Sequence, residues 1–312
     1  MTIPRRAVVA GLLTAGAVAC PIASREQQML PLPLPLPADL AARLGAPPPL
    51  APAAPGSPSV AGGVALPAWR RYAVPVNAHD PRPKIAVVID DLGVMRARTA
   101  QTVALPGPLT LAWFPFAPDL PEQVRAAAAR GHEAMLHMPM QSHSNSIAQT
   151  GPDPLRVDLP PEVNLARLRA AIAAVPDSVG LNNHMGSVAT RDPALMDLVA
   201  QQVHAHGMLF LDSVVVPHSY GLPRAVAAGV PAAARDVFID NTPDRGTIHA
   251  QLASVEATAL HLGYAIAIGH PRPHTLAALE EWLPTLAGKG FVLWPLAATV
   301  ALRNGLEITP SV

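Results

Sequence analysis

Ile85-Ala86-Val87-Val88-Ile89 runs without a polar break into Asp90-Asp91. A continuous apolar, largely β-branched run of this length reads as a strand buried on both faces, as in a parallel sheet covered by helices. Further short apolar runs follow at 109–114, 133–137, 178–182, 208–212, 236–239, 265–269 and 291–294. Most are separated by alanine-rich stretches with helical spacing, clearest at 120–129, 165–174, 193–206, 248–262 and 275–286. Strand alternating with helix predicts an α/β fold with right-handed crossovers: a (β/α) barrel of seven or eight strands, closed or incomplete.

Polar residues stand where the apolar runs stop. Asp90-Asp91, His137, Asn182-Asn183-His184, Asp212-Ser213 and His270 each follow directly on one. In parallel α/β folds the carboxyl ends of the strands form the functional rim. Five strand ends delivering Asp, Asn or His to one rim are more than loop polarity explains.

Taken singly, each feature has two readings. Asp90-Asp91 is a metal ligand beside a base, or a capping aspartate beside a loop aspartate, since Asp is a favoured N-cap. His137 on a rigid strand end suits a metal ligand, though a lone histidine is more often structural. Asn182-Asn183-His184-Met185-Gly186-Ser187 offers ligation and close backbone approach, or is a polar turn. His270 reads as an acid, a substrate contact or a ligand, and Thr275 as the N-cap of the next helix.

Outward from this core the chain changes character. Of its 37 prolines, 16 precede Lys84. Arg5-Arg6 before the apolar run Ala7 to Cys20 fits a secretory signal, and Ala17-Val18-Ala19 is a small-residue cleavage pattern. Cys20 also fits a lipoprotein acylation site, so residues 1–20 read as a signal peptide or lipoprotein signal. Proline-rich sequence such as Pro31-Leu32-Pro33-Leu34-Pro35 cannot form helix, and residues 21–83 read as an extended spacer. The folded domain is expected over 84–303, with a tail at 304–312. The expected location is exported: periplasmic, or anchored to the envelope membrane through the N-terminus.

Twenty-two basic residues balance 22 acidic ones, and aromatics make up 4% of the chain. With no basic stripe and few stacking rings, nucleic acid is excluded as the expected partner. The single cysteine rules out an internal disulfide and a thiolate metal site. A metal must be held by the carboxylates, the amides or the 12 histidines.

At the rim positions the sequence resembles a known family. Ile89-Asp90-Asp91-Leu92-Gly93, His137-Met138-Pro139-Met140, Gly180 to Ser187, Asp212-Ser213 and Ala265 to Pro271 are similar, in order and spacing, to the motif series of the divergent polysaccharide deacetylases. The resemblance implies a carbohydrate-deacetylase barrel acting on an envelope glycan. It gives Asp90 as base and Asp91 as metal ligand. His137 matches the first of the usual histidine pair, but Gln141 stands where the second would be. His184 from the next strand then completes the set Asp91, His137 and His184, which suits Zn²⁺ with one open position. His270 becomes the acid, and Asn183 and Asp212 the orienting groups. Gln141 replaces an expected Glu, Val214-Val215 an expected Arg-Thr, and His274 an expected Glu. These changes bear on substrate binding and activity more than on fold. The rival from another class is a non-catalytic envelope protein that binds glycan or a partner at the same rim. Glycoside hydrolysis by Asp90 and Asp212 is the third reading.

Overall fold

The computed structural model describes residues 66–144 and 147–308. The signal expected at 1–20, with Cys20, and the spacer as far as residue 65 lie outside the described residues, as do residues 309–312.

Nine strands form one parallel sheet. They are β1 (Lys84–Leu92), β2 (Thr110–Trp113), β3 (Glu133–Met140), β4 (Ser178–Met185), β5 (Leu209–Asp212), β6 (Ala232–Ala234), β7 (Val237–Phe238), β8 (Tyr264–Gly269) and β9 (Val292–Leu293). The order is β6-β5-β4-β3-β2-β1-β8-β7, with β9 against the start of β1. The two ends of that order are neighbours in the chain, with only Arg235 and Asp236 between them. The Arg235 N–H still bonds to Asp212 O beside β6, while the Asp236 N–H already bonds to Ile266 O of β8. The chain itself steps from one sheet edge to the other, so the barrel is closed by two residues and not by a ladder. This is the incomplete form of the expected barrel.

Helices α1 (Ala68–Arg71), α2 (Arg96–Val103), α3 (Leu120–Ala128), α4 (Ile147–Thr150), α5 (Pro161–Ala174), α6 (Pro193–Ala205), α7 (Gly221–Ala227), α8 (Arg245–Leu262), α9 (Pro273–Trp282) and α10 (Leu296–Arg303) complete the described chain. Local chemistry sets their ends. Asp192 and Asp244 cap α6 and α8 by accepting the Leu195 and Thr247 N–H groups, and Gly263 stops α8 in the left-handed conformation.

The strands alternate between two cores. Ile85, Val87, Ile89, Leu111, Leu136, Leu181 and Phe210 face outward to the helix layer. Ala86, Val88, Ala112, Met135, Val179, Leu209, Leu211, Ile266 and Ile268 face the barrel interior, where Leu296, Ala297, Val300 and Ala301 of α10 fill the space. The buried Glu133 carboxylate accepts the Ala297 N–H at the start of α10 and the Thr110 hydroxyl. It holds the C-terminal helix from across the barrel.

Several elements differ from the sequence-based expectation. β3 and β4 run on to Met140 and Met185 because their ladder continues through His137↔Asn182 to Met140↔Met185. β6 consists of three alanines and carries no strand signal. Residues 66–83, expected as the end of the spacer, pack on the domain: Trp69 and Val76 are buried, and the Trp69 N–H bonds to Gly207 O.

Candidate metal centre

The twofold alternation decides which strand-end residues meet. On β1, Ala86 and Val88 point inward, so Asp90 does too. The same parity turns His137 inward after Met135, and His270 inward after Ile268. On β4 a register shift sets Ser178 opposite Ala134 but Gly180 opposite Met135. This bulge turns Asn182 and His184 to the inner face. Asp91 should point outward. Instead its φ is 60°, in the left-handed region that Asp tolerates better than most residues, and the β1 register is irregular there. The kink brings the second carboxylate back over the rim.

Three donor atoms converge as a result. His137 Nε2 lies 3.2 Å from Asp91 Oδ1, and His184 Nδ1 lies 3.1 Å from it. The two nitrogens are 3.1 Å apart. A tetrahedral ion with ligands at ~2.0 Å holds them ~3.3 Å apart, so the trio fits such an ion after a shift of a few tenths of an ångström.

The surrounding hydrogen bonds aim the lone pairs inward. Asn182 Nδ2 donates to Asp90 Oδ1 at 2.7 Å, since a carboxylate only accepts. Asn182 Oδ1 therefore faces His137 Nδ1 at 2.7 Å, and that nitrogen must donate. His184 Nε2 donates to Gln149 O at 2.8 Å. Both imidazoles thus turn towards the buried Asp91 Oδ1 the ring nitrogen that the outside bonds leave free. Two such nitrogens and a carboxylate oxygen at this range require a positive charge between them, a proton or a cation.

Proton affinities record the same demand. Burial opposes charge on His137, but Asp90 and Asp91 outweigh it and lift the imidazole to about 9. Burial pushes Asp91 up, yet His137, His184 and His270 hold it well below the carboxylate range. Asp90 is raised by burial, against the pull of His137, His270 and the Asn182 amide.

His270 stands beside the trio. Its Nε2 is 3.9 Å from Asp91 Oδ2, and its Nδ1 donates to Asp240 Oδ1 at 2.8 Å. Burial disfavours the imidazolium, but the Asp240 hydrogen bond and the charges of Asp91, Asp240 and Asp90 raise its pKa. Asp240 was not singled out in the sequence, although it follows an apolar run as Asp90 does. Thr275, read as an N-cap, instead donates its hydroxyl to Asp240 Oδ2 inside α9.

Two orienting groups are corrected. The amide that orients His137 is Asn182. Asn183 has the opposite parity and ties two loops together, accepting the Ser213 N–H and donating to Met185 O. Asp212 follows the inward Leu211, so it faces α7. Its carboxylate accepts the Val214 and Leu222 N–H groups and the Ser219 hydroxyl. It fixes the loop after β5 and is not placed across a cleft from Asp90. Gln141 Oε1 accepts the Val157 N–H, bracing a loop and contributing nothing to the trio. Arg235, which sequence reasoning missed, is held behind the Ser213 and Val214 carbonyls and over the Phe238 ring.

Comparison with known proteins places this arrangement. YibQ of Escherichia coli is 32% identical over 203 residues, which is 65% of this chain and 63% of YibQ, so the match spans under two thirds of that relative's length. A Haemophilus influenzae protein is 35% identical over 203 residues, 65% of this chain and 72% of its own. The crystal structure of a protein from Agrobacterium tumefaciens C58 matches with a TM-score of 0.72 at 25% identity, over 75% of this chain and 95% of that one. The profile of the family described as divergent polysaccharide deacetylase matches residues 87–300. That stretch opens in β1, closes inside α10 and takes in every strand that carries the trio, and the chain belongs to the divergent polysaccharide deacetylase family.

Proposed function

We propose that this protein is an exported, metal-dependent deacetylase that removes an acyl group from an envelope polysaccharide. The observation that carries this reading is the convergence of Asp91 Oδ1, His137 Nε2 and His184 Nδ1, with both histidine tautomers fixed by outside hydrogen bonds. Held by these three residues, a divalent cation, Zn²⁺ by the chemistry of the donors, supplies Lewis acidity at neutral pH.

The chain's own residues supply the proton transfers. Asp90 is buried beside the trio, 3.8 Å from His137 Nδ1, and its raised proton affinity suits a base that takes a proton from the attacking water. Hydrolysis breaks the acyl C–N or C–O bond, and the departing amine or alkoxide needs a proton. His270 Nε2 faces the centre while Asp240 holds its Nδ1–H, so the ring is oriented to give that proton from Nε2. The exported location rests on the Arg5-Arg6 and apolar N-terminal pattern.

The test is elemental analysis of the full chain beside His184→Ala, with acetate release from acetylated glycans measured for both and for His270→Ala. One zinc per chain is expected, lost in His184→Ala and kept in His270→Ala. Removing the acid should lower turnover by ~10²–10⁴-fold. A chain that takes up no metal, or keeps it in His184→Ala, overturns the reading. Zinc uptake without acetate release from any glycan would favour a rim that binds glycan without cleaving it.

A further inference from the structure

Phe116, three residues beyond the end of β2, is 38% exposed. Its ring stacks on Phe114 at 4.9 Å with 23° between the planes. Phe114 stands edge-on to His184 at 4.7 Å and tilted to His137 at 5.2 Å. Along another edge Phe116 meets Gly151, where φ is +81° and an added Cβ would fall 2.6 Å from Cε1 and 2.8 Å from Cζ. The ring is therefore pinned from two sides, one of them a backbone that must lack a side chain. It is held rigid and still left open to solvent. An aromatic ring fixed in place with part of its surface open beside a site is a surface on which a ligand can stack. Only two ring-to-ring steps separate it from the ligating His184. The next loop is also apolar: Val94 and Met95 are exposed, and Arg96 ties that loop to Asp119 at 2.8 Å.

We propose, resting on the deacetylase reading above, that Phe116 is the platform for the sugar that carries the acyl group. A pyranose ring presents one face of C–H groups with partial positive charge, which complements the negative face of an aromatic ring. Phe114 links the Phe116 platform to His184 and His137, so the acyl-bearing substituent of the stacked sugar has only the width of Phe114 to cross to reach the trio. Because the ring is clamped before binding, little side-chain freedom is lost when the sugar arrives. Phe116 thereby selects sugars with an unbroken C–H face. It is a specificity residue and does not touch the reacting bond.

The test uses the full, zinc-loaded chain and β-1,4-linked N-acetylglucosamine tetramer as probe, with calorimetric affinity for wild type, Phe116→Ala and Phe116→Leu. Zinc content and thermal unfolding of each variant check the centre and the fold. Free acetate, which has no sugar face, probes the metal centre alone. Phe116→Ala should bind the tetramer at least tenfold more weakly, ~1.4 kcal/mol. Phe116→Leu, which keeps an apolar side chain but loses the flat face, should lose affinity as Phe116→Ala does, and acetate should bind all three alike. Equal tetramer affinity in Phe116→Ala, or none in wild type, overturns the platform. The two readings fail separately. Acetate release at unchanged KM in Phe116→Ala sinks the platform alone. Tetramer binding that needs Phe116, in a chain that releases no acetate, sinks the deacetylase reading and leaves the platform standing.

Discussion

Replacing Asn182 by Leu tests whether outside hydrogen bonds aim the metal centre. Asn182 is fully buried, and its amide bridges His137 Nδ1 and Asp90 Oδ1, each at 2.7 Å. Leu has the same branched shape with bulkier ends and leaves no room for water, so both partners lose their hydrogen bond without replacement. A buried polar group stripped of its partner costs ~1–3 kcal/mol, more when charged, so the metal-free fold should lose several kcal/mol. Loss of the group that orients a ligating histidine weakens metal binding by ~10–100-fold. The assay is competition for Zn²⁺ against a chromophoric chelator, with urea unfolding of the zinc-free chain alongside. Asn182→Asp is the control: sharing one proton with Asp90 across the 2.7 Å gap, it keeps an acceptor for His137 Nδ1 and should keep zinc affinity. If Asn182→Leu stays folded and binds zinc as tightly as wild type, the amide does not set the tautomer and the reasoning is refuted.

Two further outcomes follow from buried carboxylates. Burial raises Glu133 from the ordinary 4.5 to about 7, against the bonds from Ala297, Thr110 and Val74 that favour the anion. A raised acid stabilises the fold fully below its unfolded pKa and loses that contribution as pH rises through the folded one. Wild type should therefore lose up to ~3 kcal/mol of unfolding free energy relative to Glu133→Gln between about pH 4.5 and pH 7. An equal difference at pH 5 and pH 8 in denaturant melts would contradict this. Asp212→Ala removes the acceptor of three partly buried bonds after β5 and should cost ~2–4 kcal/mol of stability. The same chelator titration should show its zinc affinity unchanged; a large loss would return Asp212 to the metal site.

The strand-end reading of the sequence carried furthest where the strands are regular. Asp90, His137 and His270 follow clean apolar runs, and the fold turns all three inward as alternation requires. The same alternation, applied to Leu211-Asp212, places that carboxylate outward. The residue type drew attention there while its parity pointed away. Asp240 was legible by the same signal, at the end of the 236–239 run, where the fold forms only the two-residue strand Val237–Phe238.

The sequence by itself determined the parallel α/β architecture, because continuous apolar runs alternating with helical spacing have few other ways to bury their surface. It also determined the family and the order in which polar groups reach the rim. Tertiary structure alone decided which of them meet. The left-handed turn at Asp91 and the bulge in β4 each reverse a side chain's face, and both exist only because neighbouring strands fix the register. The choice of Asn182 over Asn183, and the pinning of Phe116 between Phe114 and Gly151, likewise depend on contacts between residues far apart in the chain. Local propensity acts over a few residues, so it could not anticipate them.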